Sequence, residues 1–188
     1  KAIELNPTLF NSHFLLGTIL LRQKKLQEAE QYLRKTIELK PNFFQAHLNL
    51  GAVLKDLGKL KEAEGSIRKS IELNPNLFNS HFLLGSILIG QQKQQEAEQP
   101  LRRTIELKPD FFQAHLNLGS ILSNLGKSKE AEISTRKAIE LNPDYAEAHS
   151  NLGNVLRDIG KSEEAESSYR KSIEIKPDYA EAHYNLGI

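Results

Sequence analysis

From Ala146 onward the apolar residues Ala148, Leu152, Val155, Leu156 and Ile159 recur at spacings of three and four, the period of an α-helix with one buried face. Pro143-Asp144 supplies a start signal before this stretch and Gly160-Lys161 a stop after it. A second stretch carries Ala165, Tyr169, Ile173 and Ile175 on one face and ends before Pro177. Two helices joined by so short a turn pack antiparallel, so the pattern predicts a helical hairpin.

The hairpin recurs. Prolines stand at 7, 41, 75, 109, 143 and 177 and glycines at 17, 51, 85, 119, 153 and 187, each series stepping by 34 residues. A fixed period of this size marks a repeat array, in which each unit is one supersecondary element that buries its apolar face against its neighbours. The period divides the chain into full units at 10–43, 44–77, 78–111, 112–145 and 146–179, with the end of a partial unit at 1–9 and the start of another at 180–188.

In the fifth unit the recurring positions are His149, Leu152-Gly153, Leu156, Ala165, Tyr169, Ser172 and Pro177, and in the second they are His47, Leu50-Gly51, Leu54, Ala63, Ile67, Ser70 and Pro75. This pattern resembles the tetratricopeptide repeat (TPR) along the whole chain. The resemblance implies an all-α fold, an α-solenoid of antiparallel helix pairs coiled as a right-handed superhelix. It also implies that the first helices line a concave groove where extended peptides or partner helices bind. A fold hosts many roles, so the residues on that face carry the functional reading.

Two residues after each recurring histidine stand Leu15, Asn49, Leu83, Asn117, Asn151 and Asn185. A carboxamide offers one acceptor and two donors, so a row of them can hold the backbone of an extended peptide without reading its side chains. Asn49, Asn117, Asn151 and Asn185, together with Asn154, are the candidate peptide-binding asparagines. The row resembles the asparagine row in the repeat region of O-linked N-acetylglucosamine transferases. The alternative is that asparagine here only spaces or caps the helix. Where asparagine is missing the units carry Phe14-Leu15 and Phe82-Leu83. These four residues are either an apolar patch for a partner or, for the two phenylalanines, side chains tucked against neighbouring helices. The residue following each histidine is never lysine, so the lysine and asparagine clamp that TPR proteins use on acidic chaperone C-termini is absent.

Charge and composition narrow the partners. With 25 Lys and Arg against 24 Asp and Glu no basic footprint for nucleic acid is present. No apolar run approaches the roughly 20 residues that span a bilayer, so neither nucleic acid nor membrane is an expected partner. There are no cysteines, hence no disulfides or thiol chemistry. The six histidines, one per unit, are separated by whole hairpins and cannot converge on one zinc ion, whose nitrogen ligands lie about 2.0–2.1 Å away. They are read as packing residues, and no cofactor is expected. Nothing assembles a nucleophile, a base and a phosphate loop, so the segment is not expected to be an enzyme. The function expected is a protein- or peptide-binding scaffold. The rivals are the TPR arm of a larger enzyme such as a glycosyltransferase, or a structural unit of an end-to-end filament. A cytoplasmic setting is the default expectation.

Four further features carry expectations. LFNSHFLLG occurs at 9–17 and 77–85, and FFQAHLNLG at 43–51 and 111–119, so the first part of the chain repeats every 68 residues, through duplication of a unit pair or a ligand with the same period. Glu30 and Arg34, and their counterparts up to Glu166 and Arg170, are spaced as i,i+4 pairs and are expected on a solvated outer face. Pro100, where other units have Tyr32, Ser66, Ser134 and Ser168, predicts a kink and a weakened second helix. Tyr184 and Leu186 at one end, and Ala2, Ile3 and Leu5 at the other, are surfaces made to be covered. They carry the expectation that the natural protein continues in both directions and that the segment self-associates weakly through its ends.

Overall fold

The computed structural model describes residues 9–187, and Ala2, Ile3 and Leu5 lie outside them. The described residues hold helices α1 (Phe10–Arg22), α2 (Leu26–Leu39), α3 (Phe44–Asp56), α4 (Leu60–Leu73), α5 (Phe78–Gly90), α6 (Gln94–Leu107), α7 (Phe112–Asn124), α8 (Ser128–Leu141), α9 (Ala146–Asp158), α10 (Ser162–Ile175) and α11 (Ala180–Leu186), with no strand among them. They fall into two compact units, the first ending at Gln92 and the second starting at Lys93. In the first, α1 packs on α2 and α3 on α4 as hairpins, and α5 follows against α4. In the second, α7 packs on α8 and α9 on α10, flanked by α6 and α11. The first helices of successive hairpins also adjoin, α1 with α3 and α3 with α5, and α7 with α9 and α9 with α11. Among the described residues no helix is long and apolar enough to cross a membrane.

The recurring residues explain why each hairpin closes. Leu33 is fully buried over Gly17 and Ile67 over Gly51, while Tyr169, almost fully buried, lies over Gly153; a Cβ on Gly153 would stand 2.5 Å from the tyrosine ring. Glycine is therefore required because the second helix lies where a side chain would be. Ala29, Ala63, Ala97, Ala131 and Ala165 are buried on the second helices, where larger side chains would push the pair apart. The small residue near the end of each second helix ties it to a first helix in two cases, its own or the next. Ser172 Oγ donates to the Ala146 carbonyl at 2.8 Å, and Ser70 Oγ bonds Ser80 Oγ at 2.9 Å.

The histidines lock the turns between hairpins. Each ring Nε2 lies 2.7–2.9 Å from the carbonyl of the proline six residues earlier, in His47, His81, His115, His149 and His183. A carbonyl only accepts, so Nε2 carries the proton and donates. Within the hairpins Gly58, Gly126 and Gly160 turn the chain in the left-handed region, at φ 76°, 73° and 79°. Lys24 and Gln92 hold the same place at 60° and 62°.

Pro100 is buried inside α6, and helix runs through it over the same 14 residues as in the other second helices. The Glu–Arg pairs are present as i,i+4 contacts at 2.8–2.9 Å, but they are not merely solvated. Arg34 also reaches Glu62 and Lys59 reaches Glu30 at 2.8 Å, so the pair bridges consecutive second helices. The same link is made by Lys127, Glu98, Arg102 and Glu130, and by Lys161, Glu132, Arg136 and Glu164.

Candidate functional site

In the first unit the exposed side of the first helices is largely apolar. Leu15 is 61% exposed and Ile19, one turn on, 41%. Phe14 is half-buried, its ring set edge-on against Phe43 at 4.8 Å between centroids. Phe82 and Leu83 are half-buried. Asn49, on the adjoining α3, is half-buried and donates from Nδ2 to Thr18 Oγ1 at 3.1 Å, so one of its donors is used within the chain.

In the second unit the same side is polar. Asn117 on α7 and Asn151 on α9 hold equivalent places, are half-exposed, and make no side-chain hydrogen bond among the described residues. Asn154 and Asn185 are bound to each other instead. Asn154 Oδ1 accepts from Asn185 Nδ2 at 3.0 Å and from the Tyr169 hydroxyl at 2.8 Å. Asn154 Nδ2 donates to Glu181 at 3.3 Å, and Arg157 donates to Asn185 Oδ1 at 3.3 Å. Tyr169 thus acts twice, filling the space over Gly153 with its ring and orienting a surface carboxamide with its hydroxyl. Burial, and then the neighbouring charges of Asp158 and Glu181 against that of Arg157, raise its pKa, so the hydroxyl remains a donor.

Asn151 and Asn154 line a cleft of about 280 Å³ together with Ser123, Asn124, Arg157 and Glu181. Sequence reasoning picked out the two asparagines and missed the rest of the lining. The signal was the helical spacing: Asn154 and Arg157 follow Asn151 at three and six residues, on neighbouring turns of one face. The cleft presents carboxamides and hydroxyls, Arg157 and Glu181 add charges of both signs, and among the described residues no cluster is suited to a metal ion.

A family model for the TPR repeat matches residues 153–188, one for the tetratricopeptide repeat matches 1–31 and 135–167, and another for the tetratricopeptide repeat matches 44–77 and 112–145. No curated protein sequence matches. Among solved structures, that of YrrB, described as a TPR protein with an unusual peptide-binding site, is 25% identical with a TM-score of 0.89, over 100% of this chain and 97% of that one. A MamA structure is 23% identical with a TM-score of 0.83 over 91% and 93% of the two chains. MamA from Desulfovibrio magneticus RS-1 is 20% identical with a TM-score of 0.84 over 90% and 96%. With its hairpins closed on glycine, its turns clasped by histidine and its helices superposing on these structures, the chain belongs to the tetratricopeptide repeat family and has the α-solenoid fold of antiparallel helix pairs.

Proposed function

We propose that the chain is a non-catalytic scaffold that holds an extended segment of a protein partner along the face of its first helices. The observation that carries this reading is the pair Asn117 and Asn151, at the same place on adjoining helices, half-exposed and with their carboxamides uncommitted. A buried or helix-capping role would consume those groups. An extended backbone presents a donor and an acceptor on every residue, which is what uncommitted carboxamides match. The peptide-binding site that YrrB is described as having supports the same use of the fold.

The test is selection of binding peptides from a random library on the intact chain, followed by titration of the selected peptides against Asn117→Ala/Asn151→Ala. Each lost hydrogen bond contributes about 0.5–1.5 kcal/mol, so the double variant is expected to bind roughly tenfold more weakly with unchanged helicity. Equal affinity for both forms, or peptides that protect only the second helices from exchange, would overturn the reading.

A further inference from the structure

Ile133 is an anomaly on the second helices. It is 71% exposed, and its place is taken by Gln31, Gly65, Gln99 and Ser167 in the other hairpins. The second residue after it is also unusual, whereas the first, Ser134, is shared with Ser66 and Ser168. Every other second helix carries a large apolar residue at the second of these positions, Leu33, Ile67, Leu101 or Tyr169, whereas α8 has Ser134 followed by Thr135. The fourth hairpin therefore pairs small side chains inside with an apolar one outside.

A hollow of about 650 Å³ lies at this point, open to solvent, with Ile105 of α6, His115 and Leu118 of α7, and Ile133 and Ser134 of α8 on its walls. Its volume is within the usual 300–1,000 Å³ of ligand sites. The first hairpin shows what fits there. At the position of Ser134 it has Tyr32, whose ring lies 5.8 Å from that of His13, the counterpart of His115. The charges around the mouth are matched within the chain. Arg102 and Arg136 belong to the bridges between second helices, Lys137 is 2.6 Å from Glu140, and Glu106 is held by Arg103 at 2.8 Å. The mouth therefore seeks no counter-charge, and its complement is an uncharged segment.

We infer that this hollow on the second-helix face is a docking site for an aromatic side chain presented by an uncharged segment of a partner protein. The ring takes the place against His115 that Tyr32 takes against His13, and Ile133 covers its exposed edge. Aromatic side chains are the usual anchors of such sites because they bury much area at small entropic cost. The site is separate from the first-helix face and does not depend on the peptide reading given above.

The test is an NMR titration of the isotopically labelled chain with three probes: a capped, uncharged heptapeptide with a central tyrosine, the same peptide with alanine there, and p-cresol. The tyrosine peptide is expected to give saturable shifts at the amides of His115, Ile133 and Ser134 that the alanine peptide does not. Ser134→Tyr, which fills the hollow from within, is expected to weaken binding by more than about tenfold, the loss typical of an aromatic anchor. Ile133→Gln, at an exposed site and so without effect on folding, is expected to weaken it in the same direction, while Asn151→Ala leaves it unchanged. Absence of saturable shifts from the tyrosine peptide, or unaltered binding by Ile133→Gln, would overturn the inference. Occupancy by p-cresol alone would also overturn it, in favour of a small-molecule site.

Discussion

Thr135 occupies, over Gly119, the place that Leu33, Ile67 and Tyr169 occupy over their own glycines. It is fully buried, and its Oγ1 has no hydrogen-bond partner among the described residues. A buried hydroxyl left unpaired costs about 1–3 kcal/mol. Valine has the same branched shape without that group, so Thr135→Val is expected to stabilise the chain by about 1 kcal/mol and raise the midpoint of thermal unfolding by roughly 2–4 °C. Circular dichroism at 222 nm would show it. A lower midpoint would mean that the hydroxyl is satisfied and that the cavity, not the polar group, is the defect.

Among the elements, α6 is the one whose sequence opposes its structure. Pro100 has no N–H to give to the carbonyl four residues earlier, and a proline inside a helix costs about 3 kcal/mol. Pro100→Ser is expected to raise the unfolding midpoint by several degrees and to slow amide exchange in α6 relative to α8; exchange unchanged by the substitution would show that packing already compensates for the missing bond. Helix limits were otherwise legible in the sequence. The stretch predicted to begin at Ala146 and stop at Gly160 is α9, Ala146–Asp158, and its partner α10 ends at Ile175, ahead of Pro177 as expected. The left-handed turns at Lys24 and Gln92 were not legible, since neither is a residue that favours φ near 60°. At Lys24 the packed pair α1 and α2 imposes the turn, where Gly160 announces its own.

Across the chain, what the sequence concealed were contacts between residues far apart in it. Arg34 and Glu62 are 28 residues apart, and Asn185 and Asn154 are 31 apart, so no local spacing reveals either. Asn49, Asn117, Asn151 and Asn185 stood out by recurrence, whereas the hold of Tyr169 on Asn154 and of Arg157 on Asn185 did not. The bridges between second helices also set a pH dependence. Hydrogen bonds from Lys127 and Lys161 hold the carboxyls of Glu98 and Glu132 below their ordinary value of about 4.5. At Glu30 burial opposes ionisation, but bonds from Lys59 and Arg34 outweigh it and lower the pKa as well. A group whose pKa is lower folded than unfolded stabilises the fold above its unfolded value and ceases to do so as pH falls through the folded one. Thermal stability is therefore expected to be level from neutral pH to about 4.5 in this respect and to decline below it. Glu30→Gln/Glu98→Gln/Glu132→Gln is expected to flatten that decline, and an acid limb of equal steepness in the variant would show that other carboxylates set it.

Each bridge joins residues that stand at fixed places in consecutive repeats, and the same set of one lysine, one arginine and two glutamates makes it every time. A joint of this kind is indifferent to which two repeats it connects. Were residues 44–111 removed, Lys127 would meet Glu30 and Arg34 would meet Glu130, with the charges already correct. A copying error that inserts or deletes whole repeats thus hands the offspring a chain whose seams fit without further mutation. The 68-residue echo of LFNSHFLLG and FFQAHLNLG is the trace such an inheritance would leave.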